Sequence, residues 1–367
     1  MLHLYTKSAS RFAMLPALSE RFDRVGRSHA FRAKTKAQWR SWRRATIARL
    51  KELTGYDTLA PAPLRPRITE RVACDGYERQ RVEIQTERGV TMPIYVLVPE
   101  GLKRRERRPA VLCAHGHQSG GKLATAGVLD DPLVRDTVGR HNYDYGLAYV
   151  RRGLIALCPD ARGFGERREP SINIRGTGTI IDSSCQNLDH MAHPLGLTVT
   201  GMWVFDLHRL LDYAQTRRDV QPDRIGCVGL SGGGLQALWA TALDTQDRIK
   251  AAVVSGYFYG YKQSLLELHH NCSCNFVPHM YETADMGDLG ALIAPRPLLI
   301  ETGNKDDLNG RGGVANVKSQ VAITRRAYAL LGAKKNLVHD VFPGPHRWHG
   351  QLAEPWLVEQ LSGSALL

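Results

Sequence analysis

The chain has 367 residues, 43% of them hydrophobic, and a formal net charge of +13. That apolar content is too high for a disordered chain and sufficient for a sizeable core. No run approaches the roughly 20 apolar residues that a membrane-crossing helix needs, so a helical membrane protein is excluded as well.

The N-terminus, Met1 to Lys7, lacks the apolar segment of a secretory signal. Glu20 and Asp23 are out of place in an organelle transit peptide. A soluble cytoplasmic chain with no membrane partner is the expectation. The charge is uneven: residues 1–67 hold 15 Lys/Arg against four acids. Clustered cations suit phosphate contacts, yet nothing resembles a nucleic-acid motif. A solvated basic face is the simpler reading, and no nucleic-acid partner is expected. Seven cysteines, an odd number, do not make a disulfide framework. Cys113, Cys158 and Cys227 lie in short apolar strands, where free Cys packs as a small hydrophobe.

In chain order, the first predicted element is a helix over Thr35–Leu53, with Trp39, Trp42, Ile47, Leu50 and Leu53 at helical spacing and Gly55 as its stop. A Pro-rich connector, Pro61 to Pro66, follows. Residues 1–66 therefore read as a helical appendage, and residues 67–367 as the catalytic body. Strands are expected at Gln80–Thr86 and Thr91–Val98, joined by a turn at Gly89 into an antiparallel edge. The basic run Lys103–Arg108 reads as a surface hairpin turn before Ala110–Ala114. From there short apolar strands alternate with helical patterns: Leu154–Cys158, Ile225–Leu230, Ala251–Ser255, Leu298–Thr302 and Leu337–Phe342 alternate with Tyr143–Arg151, Val204–Ala214, Leu235–Leu243, Val317–Leu331 and Glu354–Leu361. This alternation implies an α/β fold, with a mixed, mostly parallel sheet of about eight strands and helices on both faces. Long connections over 119–142, 162–198 and 257–285 leave the carboxyl ends of strands, where open α/β sheets bind ligands. They are expected to form lids or pocket walls.

Gly229-Leu230-Ser231-Gly232-Gly233 fits G-x-S-x-G and sits between an apolar strand and a helical pattern, the setting that motif needs. The sharp turn lifts the serine hydroxyl into the crevice and places it at a helix N-terminus. Ser231 is the candidate nucleophile. It requires a base, and in this arrangement the chain order is Ser, acid, His. His346 follows the last strand and is the candidate base, with His349 as competitor. Asp306 follows the preceding strand and is the candidate acid, with Asp307 as alternative. Acyl transfer also needs oxyanion donors. The backbone N–H groups of Gly232 and His117 are the candidates, while the imidazoles of His115 and His117 read as loop supports.

These residues, with Pro159 to Glu166, His115-Gly116-His117, Ala294 to Leu299 and Gly344 to His346, resemble the dienelactone hydrolase and acetyl xylan esterase branch of the α/β hydrolases over roughly residues 70–360. The N-terminal helical segment is similar to one preceding the core in some bacterial members. The resemblance implies an α/β-hydrolase fold, a Ser231, Asp306, His346 triad, and an esterase of carbohydrate or small-molecule esters that needs no cofactor. Relatives often carry Pro after the acid, where this chain has Asp307, so both aspartates stay open. Asp160 and Arg162 read as a pair that braces neighbouring loops. The segment His269 to Asn275, with Cys272, Cys274 and nearby His279, has zinc-ligand chemistry, but it reads as pocket wall, with no metal expected. A prolyl-oligopeptidase-like peptidase and a non-enzymatic binding protein on the same fold are the alternatives.

Overall fold

The computed structural model describes residues 12–170, 178–268 and 271–362. A nine-stranded sheet runs through it in the order β1-β2-β3-β5-β4-β6-β7-β8-β9. The strands are β1 Arg67–Cys74, β2 Tyr77–Glu87, β3 Val90–Pro99, β4 Arg108–Ala114, β5 Ile155–Pro159, β6 Val220–Leu230, β7 Ile249–Ser255, β8 Leu298–Gly303 and β9 Leu337–Phe342. The pairs β1–β2, β2–β3 and β3–β5 are antiparallel, and the remaining five are parallel. Each residue along β4 faces opposite its neighbour. Ala110, Leu112 and Ala114 enter the core on one face of the sheet, and Val111 and Cys113 enter the core on the other. A strand buried on both faces has no polar alternation, which is why these strands appear in the sequence as unbroken apolar runs.

The expected α/β architecture is present, with two differences. The sheet has nine strands rather than eight. The additional one, β1, is an edge strand whose residues are mostly exposed and half of them polar, so it lacks the unbroken apolar run of the inner strands. The run Lys103–Arg108 is not a hairpin turn, because β5 lies between β3 and β4. The chain leaves the antiparallel edge there and crosses to start the parallel part.

Among the described residues, the α-helices of seven residues or more are α1 Leu15–Val25, α2 Lys36–Thr54, α3 Pro132–His141, α4 Tyr145–Arg151, α5 Cys185–Ala192, α6 Val199–Thr216, α7 Gly232–Leu243, α8 Met286–Ile293, α9 Val314–Leu330 and α10 Ala353–Ser362. The limits of α2 follow from local chemistry. The Thr35 side chain accepts from Gln38 N at 3.1 Å, and Gly55 ends the helix with φ 69°. Ile47 and Leu50 of α2 are buried in the main core. Its basic side chains hold it to the body: Arg43 donates to Leu292 O at the C-terminus of α8 (2.9 Å) and pairs with Asp247 at 2.7 Å. Arg27 pairs with buried Asp288, and Arg21 with Glu282. Part of the basic N-terminal excess is thus paired with acids of the body. Among the described residues no helix is long and apolar enough to cross a membrane.

Candidate active site

Ser231 lies between β6 and α7 with φ 59° and ψ −121°, a conformation L-residues rarely adopt. The turn is tight because glycines permit it. An added Cβ at Gly229 would overlap the backbone of Gly233, and one at Gly233 would overlap the Ala114 carbonyl. Neighbouring strand and helix therefore approach closer than any side chain allows. Ser231 N donates to Ser255 O at 2.9 Å, fixing the turn to β7.

His346 and Asp306 come together from loops after β9 and β8. Nδ1 of His346 is 2.7 Å from Oδ2 of Asp306. The carboxylate accepts, so in the neutral ring the hydrogen sits on Nδ1 and the lone pair on Nε2. Asp306 is buried, and its other oxygen accepts from Leu308 N at 2.9 Å. Asp307 is exposed. His349 faces away: its Nδ1 is 3.3 Å from Asp340 Oδ2, and its ring stacks on Phe342 at 4.5 Å. Of the two aspartates and two histidines, the structure joins Asp306 to His346. Ser231 and His346 line one cavity of about 370 Å³.

The loop after β4 forms another wall of that cavity. His115 is buried, and its Nε2 accepts from Ala161 N at 3.0 Å while its Nδ1 reaches Gly116 O at 3.0 Å. Burial pushes its pKa down, which keeps the ring neutral as a brace between β4 and β5. Gln236 Nε2, on α7, donates to His115 O at 2.9 Å and Gly232 O at 3.1 Å, tying this loop to the elbow. The His117 ring lies so close to Gly232 that a Cβ there would meet its Nδ1 at 2.8 Å.

Several cavity residues were not singled out from the sequence. Tyr143 OH donates to His117 O at 3.3 Å. Burial pushes its phenol well up, partly offset by a hydrogen bond with Ser231. It is therefore a protonated donor beside Ser231. His141, at the end of α3, reaches the His346 carbonyl with Nδ1 at 2.8 Å, and its ring lies 6.2 Å from the His346 ring. His141 falls at the end of the expected 119–142 connection and Tyr143 opens the expected helix after it, and no local pattern distinguishes them from other aromatic residues. The expected Asp160–Arg162 pair is not formed. Asp160 instead holds Lys122 Nζ at 2.7 Å, while Arg162 grips Asp206 through two bonds of 2.9 and 2.8 Å. Asp160 thereby ties the loop after β5 to the loop after β4, and Arg162 ties it to α6. Of the Cys-loop residues, His279 points to Glu282 at 3.1 Å and is exposed. His269 and His270 lie outside the described residues.

A mixed sheet of this order, with a strained serine at a strand–helix elbow, defines an α/β-hydrolase fold. The chain belongs to the Abhydrolase family, whose model matches residues 13–258. It is 31% identical over 251 residues to the Bacillus subtilis (strain 168) protein named "Putative hydrolase YtaP", covering 66% of this chain and 73% of that one. Among solved structures, it superposes on a "putative acetyl xylan esterase" from Bacteroides fragilis with TM-score 0.72 at 19% identity, over 90% of this chain and 82% of that one. A glucuronoyl esterase from Solibacter usitatus aligns with TM-score 0.66 at 15% identity, over 90% and 94% of the two chains. At these identities the structural likeness concerns the fold.

Proposed function

We propose that this hydrolase is a serine esterase, acting on acyl or methyl esters of carbohydrates or small molecules through an acyl-enzyme. The observation that carries the reading is one cavity holding strained Ser231 together with His346, whose Nδ1 is 2.7 Å from Asp306. In the first step the Ser231 oxygen forms a bond to the ester carbonyl carbon and its proton passes to Nε2 of His346. Asp306 stabilises the imidazolium through Nδ1–H. The tetrahedral oxyanion is met by the N–H groups of Gly232 and His117. Collapse breaks the bond to the alcohol, which leaves with the proton from Nε2. Water then repeats the sequence and releases the acid, returning the proton to Ser231 Oγ.

The carbohydrate class draws support from the polar walls. Gln118 and Asn271 line the cavity and also a second hollow of about 690 Å³, which adds Ser183, Gln186 and Asn187. Amide and hydroxyl side chains match sugar hydroxyls in donor and acceptor character. The acetyl xylan and glucuronoyl esterase neighbours point the same way. The test is labelling by a fluorophosphonate, coupled to a hydrolysis screen over acetyl, methyl and feruloyl sugar esters. Labelling at Ser231 with turnover of a sugar ester supports the reading. A folded protein that neither labels nor turns over an activated acetyl ester overturns it, and preferential cleavage of blocked dipeptide amides would make it a peptidase.

A further inference from the structure

Three loops meet beside the cavity. One follows β4 and carries His117. The second leads into α5 and places Cys185 at its first residue. The third follows β7, passes through a six-residue π-helical turn at Lys262–Glu267, and carries Cys272 and Cys274. The donor atoms of His117, Cys185, Cys272 and Cys274 all lie within 4.8 Å of one another. Cys272 Sγ is 3.3 Å from Cys185 Sγ, and Cys274 Sγ is 3.5 Å from His117 Nε2. Tetrahedral zinc with Zn–S near 2.3 Å and Zn–N near 2.0 Å separates its ligand atoms by about 3.5–3.8 Å. The Cys274–His117 distance matches that spacing, the Cys272–Cys185 sulfurs sit closer than it, and all four donors lie near enough to share one ion.

Three thiols and one imidazole form a recurrent donor set for structural zinc. The surroundings match as well. Asn275 Nδ2 donates to Cys274 Sγ at 3.5 Å, a hydrogen bond that favours thiolate over thiol. The His117 ring packs edge-on against Phe164 at 5.1 Å, so its orientation is set by an apolar wall. Cys185 and Cys274 are buried, while His117 and Cys272 are partly exposed and line the cavity, which provides an entry path. The other cluster of potential ligands among the described residues, Glu301, Asp340 and His349, differs in kind. Its Glu301 carboxylate already accepts from Ser255 Oγ, His349 N and Gly350 N at 2.7, 3.0 and 2.8 Å.

We propose that His117 Nε2 and the sulfurs of Cys185, Cys272 and Cys274 bind one zinc ion in a closed tetrahedral site that staples the three loops around the cavity. Each ligating thiol gives up its proton to solvent as the Zn–S bond forms. With four protein ligands the ion has no open position, so its role is to fix the loops, including the one that bears His117. The assignment stands on the cluster itself and is independent of which ester the enzyme cleaves.

The experiment measures metal by plasma mass spectrometry in full-length protein purified from zinc-supplemented cells, with thiols trapped by alkylation in a parallel sample at lysis. Close to one zinc per chain is expected. Cys272→Ser and Cys274→Ser should each bring it to background, whereas Cys74→Ser, in edge strand β1, keeps it. Because a variant can misfold, the chelated wild-type chain is also loaded with Co²⁺. Thiolate-to-cobalt charge transfer and intense tetrahedral d–d bands are expected. Folded wild-type protein without zinc and without these bands overturns the proposal. So does zinc retained in both serine variants, or zinc-free protein whose trapped sample carries a Cys185–Cys272 disulfide.

Discussion

The two walls of the cavity are built by opposite means. The elbow at Ser231 is local: five consecutive residues, two of them glycines that let β6, β4 and α7 close on one another, give the serine its strained backbone. The cysteine wall is assembled from afar. Cys272 meets Cys185 across 87 positions, and Cys274 meets His117 across 157. A local device survives in any chain that folds its strand and helix. A long-range one exists only once the sheet order has brought three loops together, and it is the wall that a metal clamp would stabilise most. His346 and Asp306 fall between these extremes, 40 positions apart but each anchored at the end of its own strand.

The largest effect expected from breaking this arrangement is at the local wall. Ser231→Ala should lower kcat on an activated acetyl ester by about 10⁶-fold while leaving the circular dichroism spectrum unchanged. A loss of only a few-fold would move the nucleophile elsewhere. Asp306→Asn should cost about 10⁴-fold in kcat, the penalty of a misoriented imidazole tautomer. Asp307→Asn, at an exposed position, should leave kcat within about twofold. The reverse ranking would exchange the two aspartates.

Next comes the brace behind the cavity. Asp206 is buried between Arg162 and Arg167, at 2.8 and 2.7 Å. Burial pushes its carboxyl up, but the two guanidinium groups outweigh that and hold it well below the usual range. A depressed folded pKa contributes stability that is complete above the unfolded carboxylate pKa of about 3.9 and is lost as pH falls through the folded value. Asp206→Asn should therefore destabilise the chain by about 3 kcal/mol at pH 7, with the difference from wild type narrowing in acid. Urea melts at pH 7 and in acid measure it, and a constant difference across that window would sink the linkage. A smaller loss is expected at Tyr143. Tyr143→Phe removes one donor beside Ser231 and should lower kcat about tenfold, roughly 1.4 kcal/mol, with little change in melting temperature.

Much of the fold was legible because it rests on short-range rules. The limits of α2 follow from Thr35 and Gly55, and the central strands from uninterrupted apolar runs. Strand β1 was missed because an exposed edge strand carries no apolar signal. Lys103–Arg108 was misread because a turn-like run between two strands does not reveal that a third strand will lie between them. At the site, the position of Ser231 followed from its neighbours in sequence. Asp306 was preferred over Asp307 from its place after β8, but both stayed open, since adjacent residues have the same composition around them and differ in which one is turned inward toward His346.

The sequence by itself determined the elbow and the alternation of strands and helices, because each depends on residues within a turn or a strand of one another. Only the tertiary structure decided which aspartate meets the histidine, that Asp160 and Arg162 have different partners, and that Cys272 and Cys274 face His117 and Cys185 rather than His279. Those contacts depend on strand order and on where each loop crosses the carboxyl edge of the sheet. Local periodicity carries no record of either.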